Sequence, residues 1–269
     1  MHDIIDTAIA AGTFKTLAAA LTAADLVDTL KSTGPFTVFA PNNAAFAAFL
    51  SANNFNALSD IPTDILSQVL LNHVVIGNGV SSTLTTGYVS NLSTATPNGN
   101  HMSLHINTSD GVVLNGVSTV TTADVSVDNG TIHAVDAVIG LPTVVTFAVA
   151  DPNFSILVTA LTRPDLTFDF VGALSTANGT DPAPFTVFAP TDKAFEDLLD
   201  ELNVDSLDDI DEPTLTATLK MHAVAGANVL AASLSDGLTI STLGGDITAN
   251  VTDDGATLTD ANDRVSKII

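Results

Sequence analysis

Seven residues of this chain occur twice. Pro35-Phe36-Thr37-Val38-Phe39-Ala40-Pro41 returns as Pro184-Phe185-Thr186-Val187-Phe188-Ala189-Pro190, 149 positions later (184 − 35). A period of that length is a domain, since solenoid repeats run to a few tens of residues. The repeat extends in both directions. Upstream, Asp3–Ala8 aligns with Thr143–Ala148 and Phe14 with Phe154, at an offset of 140 (154 − 14). Downstream, Leu66, Leu70 and His73 align with Leu215, Leu219 and His222 at the larger offset. The nine added residues (149 − 140) fall within Arg163 to Pro184, a Pro/Gly/Asp-rich run that reads as a surface loop. The chain is therefore two copies of one fold, residues 1–142 and 143–269, meeting near Leu141-Pro142-Thr143. No Gly/Ser run separates them, so two closely apposed domains are expected. Each has the length to bury roughly 68–70% of its unfolded surface.

Within each copy the texture changes from helical to extended. Apolar spacing predicts helices over 3–11 and 14–30, broken at Gly12-Thr13. A short strand follows from Phe36. Asn42 and its counterpart Thr191 stand where an N-cap belongs, and Thr63 is expected to cap a helix over 62–71. From Val74, short Val/Thr/Ser strands alternate with Pro97-Asn98-Gly99, Asp110-Gly111, Asn115-Gly116 and Asn129-Gly130, which are hairpin signals. Helices first and antiparallel strands second make an α+β domain. The counterpart of Asp128–Ile139 would fall past Ile269, so the second copy is expected to lack its last strands, leaving a sheet edge open to weak self-association.

Composition removes several functions. Thirty acidic against seven basic residues give a formal charge of −23, which repels nucleic acid and anionic lipid. Such acidity keeps a chain soluble, and it suits a basic partner. Without cysteine there are no disulfides, thiolate metal sites or Cys nucleophiles. No run of 18 apolar residues suggests a membrane span. The N-terminal stretch carries acidic residues and no basic n-region, so it is not read as a signal peptide.

The residues that repeat resemble the fasciclin-like (FAS1) domain family over nearly the whole chain. Its first box is similar to Phe36–Phe46 and again to Phe185–Phe195; its second box is similar to Asn129–Asp136. The resemblance implies a β-sandwich-like wedge with helices packed on it, and extracellular or cell-surface adhesion without a catalytic site or cofactor. The family's Tyr-His pair falls on Asn72-His73 and Met221-His222, keeping the His and losing the Tyr. Its Asp-Ile adhesion dipeptide falls on Asp124-Val125. These departures speak against animal-type integrin recognition and leave a general adhesive role.

Other chemistry is poorly supported. His101 and His105 lie in an expected strand, where residues four apart are about 13 Å apart and share no metal. The acidic run from Glu196 to Glu212 lacks the EF-hand pattern and reads as a solvated helix and loop. Gly79-Val80-Ser81-Ser82-Thr83 and Gly116-Val117-Ser118-Thr119-Val120 lack the closing Gly of a nucleophile elbow, and no Walker or dinucleotide fingerprint occurs. His73 and His222 each follow a helix, where a ring bonded to backbone is the ordinary outcome. The expectation is thus a non-enzymatic adhesion protein at the cell surface, outside the cell or in the periplasm. It binds a protein or polysaccharide through Asp124, Val125, His73 and His222, with no metal, cofactor, nucleic acid or membrane insertion. A soluble module for a small apolar ligand or glycan in a cleft is the alternative.

Overall fold

The first apolar stripe forms three helices where the spacing predicts two. α1 (Ile4–Ala10) is opened by Asp3, whose carboxylate accepts the Asp6 N–H at 2.8 Å. α2 (Lys15–Ala23) stops because Asp25 takes a left-handed backbone (φ 56°), and α3 (Val27–Lys31) then restarts the chain in a new direction. The helix expected over 14–30 is therefore two. The computed structural model describes residues 2–269, and the chain divides into two compact units, residues 1–142 and 143–269.

In the first unit, β1 (Phe36–Pro41) is buried along its whole length. Asn42 caps α4 (Asn43–Ala52) by accepting the Ala45 N–H at 2.8 Å. α5 (Thr63–Leu71) begins one residue later than expected: Pro62 occupies the cap and Thr63 is the first helical residue. Six strands follow: β2 (Val74–Ile76), β3 (Gly87–Ser90), β4 (Ser103–Asn107), β5 (Val113–Leu114), β6 (Ser118–Val127) and β7 (Gly130–Val135). They join β1 in one sheet of order β2-β1-β7-β6-β5-β4-β3. The β1–β7 pair is parallel, from Phe36 opposite Gly130 to Pro41 opposite Val135; every other pair is antiparallel. Gly130 permits that pairing to start, since a Cβ there would lie 1.9 Å from the Phe36 carbonyl oxygen. The Asp110-Gly111, Asn115-Gly116 and Asn129-Gly130 signals sit at successive strand connections. His101 lies ahead of β4 and is exposed, whereas His105 is inside it and buried beneath Tyr88, ring centroids 4.9 Å apart.

The central strands are covered on both faces. Val38, Ala40, Ile132 and Ala134 pack against the helices with Leu17, Phe46 and Leu70. Phe39, Val135 and Ile139 pack on the opposite face with Leu104, Ile106 and Leu114. In the first unit, burial on both sides explains why Thr37 is the one polar residue of the heptamer, its hydroxyl bonded to Gly77 and Gly79.

The second unit repeats the plan with α6 (Val144–Ala150), α7 (Ser155–Leu161), α8 (Phe170–Leu174), β8 (Phe185–Val187), α9 (Asp192–Leu202), α10 (Glu212–Met221), β9 (Ala223–Ala225), β10 (Leu238–Thr242), β11 (Gly245–Thr252), β12 (Gly255–Thr259) and β13 (Val265–Lys267). β8 pairs with β9, and β10 to β13 form a second sheet in sequence order. Thr191 caps α9 by accepting the Ala194 N–H. The run from Arg163 to Pro184 is more than a surface loop. It contains α8, which seats Phe170 and Leu174 in the core at 1% and 5% exposure. Part of the acidic run is structural: Asp211 caps α10 by accepting the Thr214 N–H, Asp209 accepts the Ser206 N–H, and Glu212 accepts the Thr167 N–H of the loop before α8. Among the described residues, no group of three or more His, Asp or Glu is placed to hold a metal ion.

Candidate functional site

Asp124 stands at an irregularity of β6. Thr122 faces Ala134 and Val125 faces Ile132, so Ala123 and Asp124 together oppose the single residue His133. This is a β-bulge, and Asp124 carries it with a left-handed backbone, φ 62°. Asp is among the few residues with a side chain that tolerate that region. The bulge turns Asp124 out of the ladder and toward the segment after β2. Its carboxylate accepts the Ser81 N–H at 2.7 Å and also the Ser81 hydroxyl. Those two bonds hold the Asp124 carboxyl below the usual carboxylate range, so it stays ionised at the surface.

The other face of the bulge is fastened by His133. The Asp124 N–H donates to His133 Nδ1 at 3.2 Å, so the ring proton is on Nε2, which donates to the Gly79 carbonyl at 2.7 Å. The ring is fully buried and stacked on Phe39 at 5.4 Å. Thr37 adds two bonds to the same segment, donating to Gly77 O at 2.8 Å and accepting the Gly79 N–H at 2.7 Å. Thr131 donates to Asn78 Oδ1 at 2.6 Å. Residues 77–81 are thus tied to β1, β6 and β7 by four side chains. Val125 is half-buried against the helix-side core.

His73 belongs to a different network and is not a surface contact, contrary to the expectation. At 2% exposure it has no face for a partner. Its Nε2 accepts the Ile139 N–H at 2.8 Å, so Nδ1 carries the proton and donates to Val69 O at 2.7 Å. Burial pulls its pKa down to about 4. Asn72 works beside it, donating to Gly140 O at 2.9 Å and accepting from Asn91 Nδ2 at 2.6 Å. The pair clamps the segment by which the chain leaves the first unit. In the second unit His222 is half-buried, with Nδ1 bonded to Thr218 O at 2.8 Å. Burial lowers its pKa, and the nearby Arg264 lowers it further. Ser81 and Thr37, which position the Asp124 segment, escaped the sequence reading. Nothing local marks them, because their partners lie 43 and 40 residues away.

The fasciclin domain model matches residues 12–142 and 152–269. The chain belongs to the fasciclin domain family. Similar proteins are found in bacteria and mammals. Protein sll1483 of Synechocystis is 40% identical over 136 residues, covering 51% of this chain and 72% of that protein. Immunogenic protein MPB70 of Mycobacterium bovis is 38% identical over 125 residues, 44% of this chain and 55% of that one. Stabilin-2 of Rattus norvegicus is 28% identical over 225 residues, and the match spans 80% of this chain but only 15% of stabilin-2. In fold, the chain is similar to the FAS1 domain pair of the insect cell adhesion molecule fasciclin I. The TM-score is 0.56 and the identity 19%, with 93% of this chain and 88% of that one covered. Fasciclin domains thus occur in at least one adhesion molecule. Among the described residues, no single helix of this fasciclin pair is long and apolar enough to cross a membrane.

Proposed function

We propose that this chain is a non-enzymatic adhesion module, working outside the cytoplasm, whose two fasciclin domains hold a protein or polysaccharide partner. The observation that supports it is the duplication of the domain through nearly the whole chain, in a family that includes an insect cell adhesion molecule. Two weak contacts carried on one chain raise each other's effective concentration, so a modest affinity per domain suffices. In the first domain the contact face is the bulge of Asp124 and Val125 with the segment around Ser81. There an ionised carboxylate sits on a backbone fixed by His133, against a segment held by Thr37 and Thr131. His73 supports this role from inside the domain without touching the partner. The net charge of −23 favours a basic partner face and speeds encounter with it.

The test is attachment of beads coated with the full chain to a panel of cells, matrix proteins and glycans, at low and high salt. Saturable attachment that weakens with salt, and is lost in a folded Asp124→Ala/Val125→Ala variant, is the expected result. Unchanged attachment by that variant, with its circular dichroism intact, would refute the assignment of the face.

A further inference from the structure

The two edges of the seven-stranded sheet meet and then part. β2 and β3 are its outermost strands, yet Leu92 N–H donates to Val74 O at 2.8 Å and Val75 bridges Asn91. Beyond that point they diverge, β2 running into Gly77 and β3 starting at Gly87. A cleft of about 270 Å³ opens in the gap. Phe39, Val75, Leu84, Val89 and Ile106 form its apolar walls, and they belong to the second core of the domain. Its polar lining is Thr37, Thr83, Asn78 and the backbone of residues 77–79, with no charged side chain. The Thr37 hydroxyl is already committed to Gly77 and Gly79. The Thr83 hydroxyl donates to Val80 O and keeps acceptor capacity.

The second domain shows what keeps the cleft open. Thr186 donates to Ala227 O at 2.9 Å and accepts the Val229 N–H at 2.8 Å, which repeats the Thr37 arrangement and puts Val229 in the place of Gly79. Val229 packs into the core of its domain with Leu234 and Leu238. Gly79 does not have the left-handed backbone that would demand a glycine. Its absent side chain matters for space: a Cβ would lie 3.0 Å from Thr37 Oγ1 and 3.2 Å from Leu84 Cδ2, both in the cleft lining. At this position the first domain carries no side chain beside the cleft, whereas the second packs a valine against its core.

We propose that this cleft binds a small, uncharged, largely apolar molecule of one or two rings, in the first domain only. An apolar cavity of about 150 Å³ takes up benzene, so this volume suits a somewhat larger ring system. A charged ligand finds no counter-ion in the lining, and an anionic one is also repelled by the acidic chain. The proposal goes beyond the adhesive reading and stands without it.

The test is a methyl-labelled NMR titration of the full chain with toluene, and with benzoate as a charged probe of similar size. Toluene is expected to shift the methyls of Val75, Leu84, Val89 and Ile106 saturably, leaving Val224, Leu234 and Ile240 in place. Benzoate is expected to shift neither set. Gly79→Val should weaken toluene binding by roughly tenfold or more, a full step on the affinity scale. Val89→Phe fills the same space from β3 and should act alike, with folding judged from the Leu66 and Ile132 methyls. No saturable shift at the cleft, equal shifts in both domains, or wild-type affinity in a folded filled variant would each overturn the proposal. The domain-selective titration of the wild type decides the matter on its own.

Discussion

His73 gives the first domain a pH dependence that can be isolated. The ring is buried and neutral, with a pKa of about 4 against an ordinary value of 6.5. Between those values the unfolded chain binds a proton that the folded chain does not. Stability attributable to His73 is therefore complete above pH 6.5, falls as the pH drops toward 4, and levels off below. The difference in pKa is worth about 3 kcal/mol, of which about 2 kcal/mol is lost between pH 7 and 4.5. The chain has one tyrosine and no tryptophan, so the fluorescence of Tyr88 reports unfolding of the first unit alone. With a urea slope of about 2 kcal/mol per molar, the midpoint should fall by about 1 M over that pH range. The midpoint is the quantity to follow, because the His105 ring lies against Tyr88, centroids 4.9 Å apart, and the signal amplitude depends on the surroundings of the ring as well as on unfolding. In His73→Gln the protein is less stable at pH 7, and the part of the pH dependence due to His73 disappears. Parallel midpoint curves for wild type and variant from pH 7 to 4.5 would show that the buried imidazole does not set this dependence.

Three further outcomes are expected. Thr37→Val strands the Gly77 carbonyl and the Gly79 N–H, costing about 1–3 kcal/mol, and should lower the Tyr88 unfolding midpoint. Asn42→Ala removes the cap of α4 for about 1 kcal/mol and should lower the same midpoint, whereas Thr191→Ala acts on the second unit and should leave it unchanged. Asp124→Ala frees the Ser81 N–H and should speed its hydrogen exchange while the Gly79 N–H, held by Thr37, stays protected.

What the sequence made legible was local. Asn42 and Thr191 announce their helices because a cap acts within three residues, and the Asp-Gly and Asn-Gly pairs announce hairpins because a tight turn is chemistry of two residues. The backbone break at Asp25 was invisible, since an apolar stripe shows periodicity and not a single left-handed residue. α8 was hidden in a segment whose Pro, Gly and Asp content signals a loop, although Phe170 and Leu174 keep helical spacing within it. Half of the role of His73 follows from its position after a helix, where a carbonyl four residues back is in reach. The other half depends on Ile139, 66 residues away. Ser81 and Asp124 likewise become neighbours only once the sheet order is known.

The fastenings of β7 also determine how the first domain carries tension. At its start, Asn129 accepts the Ile4 N–H and donates to Leu30 O, tying the N-terminal helices to the turn before the strand. Past its end, His73 and Asn72 grip Ile139 and Gly140, just before the chain passes to the second domain. A pull between the ends of this domain is therefore directed along the length of β7. That strand has β1 on one side, in six consecutive pairs, and β6 on the other. Force along a strand strains both ladders in shear, so their hydrogen bonds share it, whereas force across a strand opens them one after another. The first domain is strung as a tether, with a buried central strand in the line of pull.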